Sequence, residues 1–152
     1  MSPARIRSAV VADKSQAVKR MLDGLRSLPL ASEAEFLADP RMVAAGESFL
    51  RRGLEALFDL GRHVLAKGFG EPIAEYKAIA RRLGELAVFD AGQAERLRAM
   101  AGFRNRLVHF YDEVTPAELY TILTEHVEDV RRLLDALRGW ISTHLDRVDD
   151  AL

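Results

Sequence analysis

The chain has no cysteine in its 152 residues, which excludes disulfides, zinc–thiolate sites and thiol catalysis and fits a reducing compartment. No stretch approaches the roughly 18 apolar residues that a membrane span requires. Arg5 and Arg7 near the amino terminus precede no apolar run of the kind a secretory leader carries. These absences predict a cytoplasmic protein. Charge of one sign is also missing: 22 basic residues face 23 acidic ones, for a formal net charge of −1. A generally cationic nucleic-acid coat is therefore excluded, and any RNA or nucleotide site must be a local arginine-rich patch. Strand-type alternation, Asn-Gly hairpin turns, internal repeats and low-complexity tracts are all lacking. With four histidines and no thiol, a metal site would need carboxylates, and no histidine spacing suggests a ligand set. Neither a metal nor a cofactor is expected.

What is present is apolar sequence at helical spacing. At 49% hydrophobic residues, the chain is long enough for one core and short for two, so residues 1–152 are read as a single domain. A first amphipathic helix spans about Arg5 to Leu28, with Ile6, Val10, Ala17, Met21 and Leu25 on one side, and Pro29 stops it. Ser32 to Glu35 has the form of a capping box for a short helix. Asp39-Pro40 opens a long helix that Lys67-Gly68 closes. A helix from about Ala74 to Leu86 follows the Gly70-Glu71-Pro72 loop. Asp90 with Gln93 caps the next one, and Thr115-Pro116-Ala117-Glu118 starts a last helix reaching about His144. The expected architecture is all-α, an antiparallel bundle of about five helices, with residues 146–152 as a frayed tail.

One segment carries chemistry: Arg104-Asn105-Arg106-Leu107-Val108-His109-Phe110-Tyr111. On a regular helix, at about 100° per residue, Leu97, Met100, Phe103, Leu107 and Phe110 form one stripe and must face the core. Asn105 and His109 lie on the opposite side, near the line of Gly102, where the missing side chain would let another helix approach. Arg104 and His109 are five residues apart, about 140° around the axis, so an undistorted helix cannot aim both at one ligand atom. Convergence needs a helix end near His109 or a second copy of the chain. A two-fold dimer through this helix would place two His109 and two Arg104 side chains in one cleft. That set could cleave RNA without a metal. One imidazole takes the proton of the ribose 2′-hydroxyl, the other protonates the 5′-oxygen leaving group, and arginine stabilises the charged transition state.

The phrase Met100-Ala101-Gly102-Phe103-Arg104-Asn105-Arg106-Leu107-Val108-His109-Phe110-Tyr111 resembles the HEPN superfamily, and within it the HepT-like toxins, whose signature is Arg-x4-His-x-Tyr. The similarity extends from about Phe49 to Leu137. Residues before about 40 look less typical, so the helix within 1–30 is expected to be peripheral. The resemblance implies a homodimeric, metal-independent endoribonuclease of a toxin–antitoxin pair, with Arg104 and His109 catalytic and Asn105 supporting the site. It also implies a MntA-like nucleotidyltransferase antitoxin that silences the toxin by transferring AMP to Tyr111.

Other readings stand beside this one. The chain could be a non-catalytic nucleotide- or substrate-binding partner of a minimal nucleotidyltransferase, or a structural helical dimer in which Arg104 forms a salt bridge and His109 a cap. His63, His126 and His144 read as ordinary histidines. Arg51-Arg52, Arg81-Arg82 and Arg131-Arg132 read as solvated helix faces.

Overall fold

The computed structural model describes residues 4–109 and 114–149, and among these the chain forms seven α-helices and no strand. They are α1 (Ser8–Arg26), α2 (Glu33–Ala38), α3 (Pro40–His63), α4 (Tyr76–Glu85), α5 (Ala91–Val108), α6 (Pro116–Glu125) and α7 (Val127–Ser142). A π-helical turn, Val64–Gly68, extends α3, and a 3-10 turn, Leu145–Arg147, follows α7. Helix starts obey local rules. Ser32, Asp39, Glu75, Asp90 and Thr115 each accept a hydrogen bond from an amide in the first turn, satisfying donors that have no partner within the helix.

Helix α3 is the axis of the bundle. Its buried residues Leu50, Leu54, Leu57, Phe58 and Leu60 meet α1 on one side and α4 to α7 on the others. Ile79 and Leu83 of α4, Met100 of α5, Leu119 of α6 and Leu134 of α7 complete a continuous core. Each fully buried side chain of this kind contributes roughly 1.5–3 kcal/mol. Close packing of α1 on α3 uses Gly53, where an added Cβ would stand 3.2 Å from the Cβ of Met21.

Three expectations change. Rather than lying at the periphery, α1 packs along α3 and buries Ser15, Val18, Leu22 and Leu25. This seam is rotated from the Val10, Ala17, Met21 face that periodicity alone suggests, because the partner surface decides which flank of a broad apolar stripe is covered. Residues 146–149 are tied down instead of frayed: Ile6 and Val148 form an isolated parallel bridge and both are buried. Asp149 accepts from the backbone amide and the hydroxyl of Ser8 at 3.1 and 2.6 Å. Finally, the run from Pro116 to Ser142 is two helices broken at His126. No proline or glycine marks the break, so the apolar period runs through it.

Among the described residues no helix is long and apolar enough to cross a membrane.

Candidate functional site

Helix α5 begins with a reciprocal capping box, Asp90 accepting from the Gln93 amide at 2.7 Å and Gln93 accepting from the Asp90 amide at 3.0 Å. Leu97, Met100 and Ala101 are buried, whereas Phe103 and Leu107 only lean on the core. The apolar stripe therefore exists but thins toward the carboxyl end. There α5 stops at Val108, and His109 leaves with extended backbone, φ −103° and ψ 116°. The helix end that convergence of Arg104 and His109 requires is present.

Arg104 is held by an aromatic stack. The rings of Phe58 and Tyr76 lie parallel, 4.6 Å apart with 3° between planes, and the Arg104 guanidinium carbon sits 4.5 Å from the Tyr76 ring centre. Because Phe58 is fully buried, the core itself orients the ring and the ring orients the cation. On α3, Glu55 approaches the Arg104 Nε to 3.7 Å, a charge contact longer than a hydrogen bond, and that buried Nε has no hydrogen-bond partner. Glu55 also pairs with Arg51 at 3.2 Å.

The two motif residues open onto different clefts. Arg104 and Asn105 line one of about 320 Å³ with Arg62, Ala74, Glu75 and Tyr76. His109 lines another of about 570 Å³ with Glu47, Arg51, Arg106, Leu107, Val108 and Val114. One protomer thus does not bring Arg104 and His109 into a shared cleft, even though α5 ends before His109. The outward face is vacant at Gly102, where an added Cβ would meet nothing within 4 Å. Tyr111 and Phe110 lie outside the described residues.

The approach to His109 is braced. Arg106 donates two hydrogen bonds to Glu118, at 2.8 and 3.0 Å, and Glu118 is also the capping residue of α6. The hydrogen bond from Arg106 holds the Glu118 carboxyl below its ordinary value, aided by the Thr115 amide and opposed by desolvation.

The other histidines have structural settings. His63 accepts from the Arg7 amide at 2.9 Å and so ties the residue preceding α1 to the end of α3. Burial, together with nearby Lys67 and Arg7, lowers its pKa. The His126 ring rests 5.4 Å from that of Phe103, and His144 stacks on Trp140. Among the described residues no three histidine, aspartate or glutamate side chains gather as a metal site would need. Five of the six arginines in the pairs read as solvated faces engage carboxylates, Arg51 with Glu55, Arg81 with Glu85, Arg82 with Glu71, Arg131 with Glu128 and Arg132 with Asp129; Arg52 is exposed.

Sequence reasoning missed Tyr76 and Arg62 as members of the Arg104 cleft, and Glu55 as the carboxylate beside the Arg104 Nε. The available signal was on α3, where Arg51, Glu55, Asp59 and Arg62 recur every three or four residues and draw one charged line along the helix.

Comparison with known proteins agrees with this architecture. The profile of a family described as ribonuclease HepT-like matches residues 18–137. A tRNA nuclease HepT of Aphanizomenon flos-aquae is 24% identical over 120 residues, covering 78% of this chain and 81% of that protein. Among solved structures, the tri-AMPylated HEPN toxin of Shewanella oneidensis, in complex with its MNT antitoxin, superposes with a TM-score of 0.78 at 19% identity. It covers 86% of this chain and 97% of its own. The cytosolic protein YutE of Bacillus subtilis, of unknown function, superposes with a TM-score of 0.79 at 16% identity, covering 96% and 98%.

Proposed function

Because the chain belongs to the ribonuclease HepT-like family, we propose that it is the RNA-cleaving toxin of a toxin–antitoxin pair, acting through Arg104 and His109 without a metal ion. The observation that carries this reading is the end of α5. The Arg104 guanidinium is fixed on an aromatic face beside an open cleft, and the helix then stops so that His109 stands exposed on extended backbone. The named relatives, a tRNA nuclease and a toxin bound to a nucleotidyltransferase-type antitoxin, add support.

A complete site needs two copies, since one protomer offers Arg104 and His109 to separate clefts. Two-fold pairing through the open Gly102 face of α5 brings both residues of each subunit to one seam. In that seam one His109 accepts the 2′-hydroxyl proton as the 2′-oxygen attacks phosphorus. The second His109 protonates the departing 5′-oxygen, leaving a 2′,3′-cyclic phosphate. Arg104 bonds the non-bridging oxygens as charge builds on them, and Asn105 lines the same cleft. Tyr111 is two residues beyond His109. AMP transferred there by a nucleotidyltransferase partner would set bulk and negative charge beside the imidazole and repel an RNA phosphate.

The test is cleavage of tRNA and other RNAs by chain purified away from its partner, with Tyr111 unmodified. Cutting should persist with chelator, yield cyclic-phosphate ends, fail on substrate lacking the 2′-hydroxyl, and vanish in His109→Ala while the melting curve is retained. RNA left intact under these conditions removes the nuclease reading. A nucleotide-binding partner without turnover is the second reading, favoured by the open cleft of about 320 Å³ that Arg62, Arg104 and Asn105 line, and the same assay separates the two.

A further inference from the structure

The Arg104 cleft holds a second guanidinium that the motif does not supply. Arg62, near the carboxyl end of α3, places its guanidinium carbon 5.6 Å from the centre of the Tyr76 ring, against 4.5 Å for Arg104. Measured through that common centre, the two cations are at most about 10 Å apart. Both line the same cleft. Arg62 is set by its neighbours: one terminal nitrogen donates to Asp59 at 3.0 Å and the other to the Ala74 carbonyl at 3.2 Å. Its buried Nε, like that of Arg104, has no hydrogen-bond partner.

The local charge is unbalanced. Glu55 is shared by Arg51 and Arg104, and Asp59 by Arg62 and Lys14. Two carboxylates thus serve four cations, in a chain whose net charge is −1. The acid that lines the cleft itself, Glu75, is turned to the start of α4, where it accepts from the Lys77 and Ala78 amides. Two guanidiniums tethered to one ring, half-exposed and facing an excess of positive charge, are matched to an anion with several oxygens.

We propose that Arg62 is a phosphate-binding residue of the Arg104 cleft, holding a backbone phosphate of the RNA strand next to the one that reacts. This rests on the reading of the chain as acting on RNA. Arg62 touches substrate but moves no proton, so its loss weakens binding more than turnover.

The experiment uses full-length chain in the His109→Ala background, where no RNA is consumed, and measures binding of a short oligouridylate and, separately, of AMP across a salt series. Adding Arg62→Gln should weaken oligouridylate binding about ten-fold or more and lower the salt slope by about one. Adding Arg62→Lys, which keeps the charge and the reach to Asp59, should restore the slope and part of the affinity. Affinity and slope for oligouridylate unchanged by Arg62→Gln would overturn the assignment. So would a loss confined to AMP, or a loss that Arg62→Lys shares in full with its slope uncorrected. Arg62-dependent binding by a chain that never cleaves RNA would keep this cleft and remove the nuclease, while cleavage indifferent to Arg62 would do the reverse.

Discussion

Arg106 and Glu118 are joined by two near-parallel hydrogen bonds of 2.8 and 3.0 Å, and the same carboxylate caps α6. One side chain thereby ties the last turn of the motif helix to the first turn of the next helix, across the segment that contains His109 and Tyr111.

Glu118→Gln keeps a capping acceptor but removes the charge. Because the folded-state pKa of Glu118 lies below its ordinary 4.5, the ionised tie is complete above that value and is lost as pH falls through the lowered one. The melting difference between parent and Glu118→Gln should be constant above about pH 4.5 and shrink in stronger acid. RNA cleavage at neutral pH should fall by up to about a hundred-fold, since small misplacements of a proton-transferring group cost that much. Parent-like cleavage and melting in Glu118→Gln would remove the tie from the account.

Tyr76 is a positioning residue for Arg104. Tyr76→Phe keeps both the Phe58 stack and the cation face, so it should cleave and melt like the parent. Tyr76→Leu loses both, at a cost of about 1–3 kcal/mol in stability, and turnover should fall about ten-fold or more with a smaller change in KM. Equal kcat values for the Phe and Leu variants would show that the ring does not orient the guanidinium.

Gly102 tests the pairing of subunits. An added side chain meets nothing within the protomer, and replacing a helical glycine with glutamine gains up to about 1 kcal/mol in helix propensity. Gly102→Gln should therefore remain folded, sediment as a monomer, and lose cleavage. A dimeric, active Gly102→Gln protein would place the two-fold contact elsewhere.

His63 makes the fold acid-sensitive. Its folded pKa is lowered from 6.5, first by burial and then by Lys67 and Arg7, and it must be neutral to accept from the Arg7 amide. The unfolded chain binds this proton more readily, so stability is full above about pH 6.5 and declines below it until the lowered value is reached. His63→Gln offers an acceptor that does not titrate. Between about pH 8 and 5 its melting temperature should fall less than that of the parent, and parallel curves would assign the acid sensitivity to other groups.

Much of the helical architecture was legible because its causes are local. The Asp90–Gln93 and Thr115–Glu118 boxes close within three residues, and Asp39-Pro40 sets the start of α3 on its own. The family phrase around Arg104 and His109 was equally plain, since it is contiguous. Less legible was the break at His126, which depends on how α6 and α7 pack against α3 and α5 and carries no breaker residue. The buried face of α1 was likewise set by its partner helix.

By itself, then, the sequence determined most of the helices, their caps, and the presence of an arginine and a histidine that an unbroken helix would aim apart, since each follows from hydrogen bonds and spacings a few residues long. Only the tertiary structure decided what stands beside them. The Phe58–Tyr76–Arg104 stack, the Arg62 cation and the closure of Ile6 on Val148 join segments from different helices or opposite ends of the chain. Such neighbours are selected by the packing of faces against one another, a choice no short stretch of sequence contains.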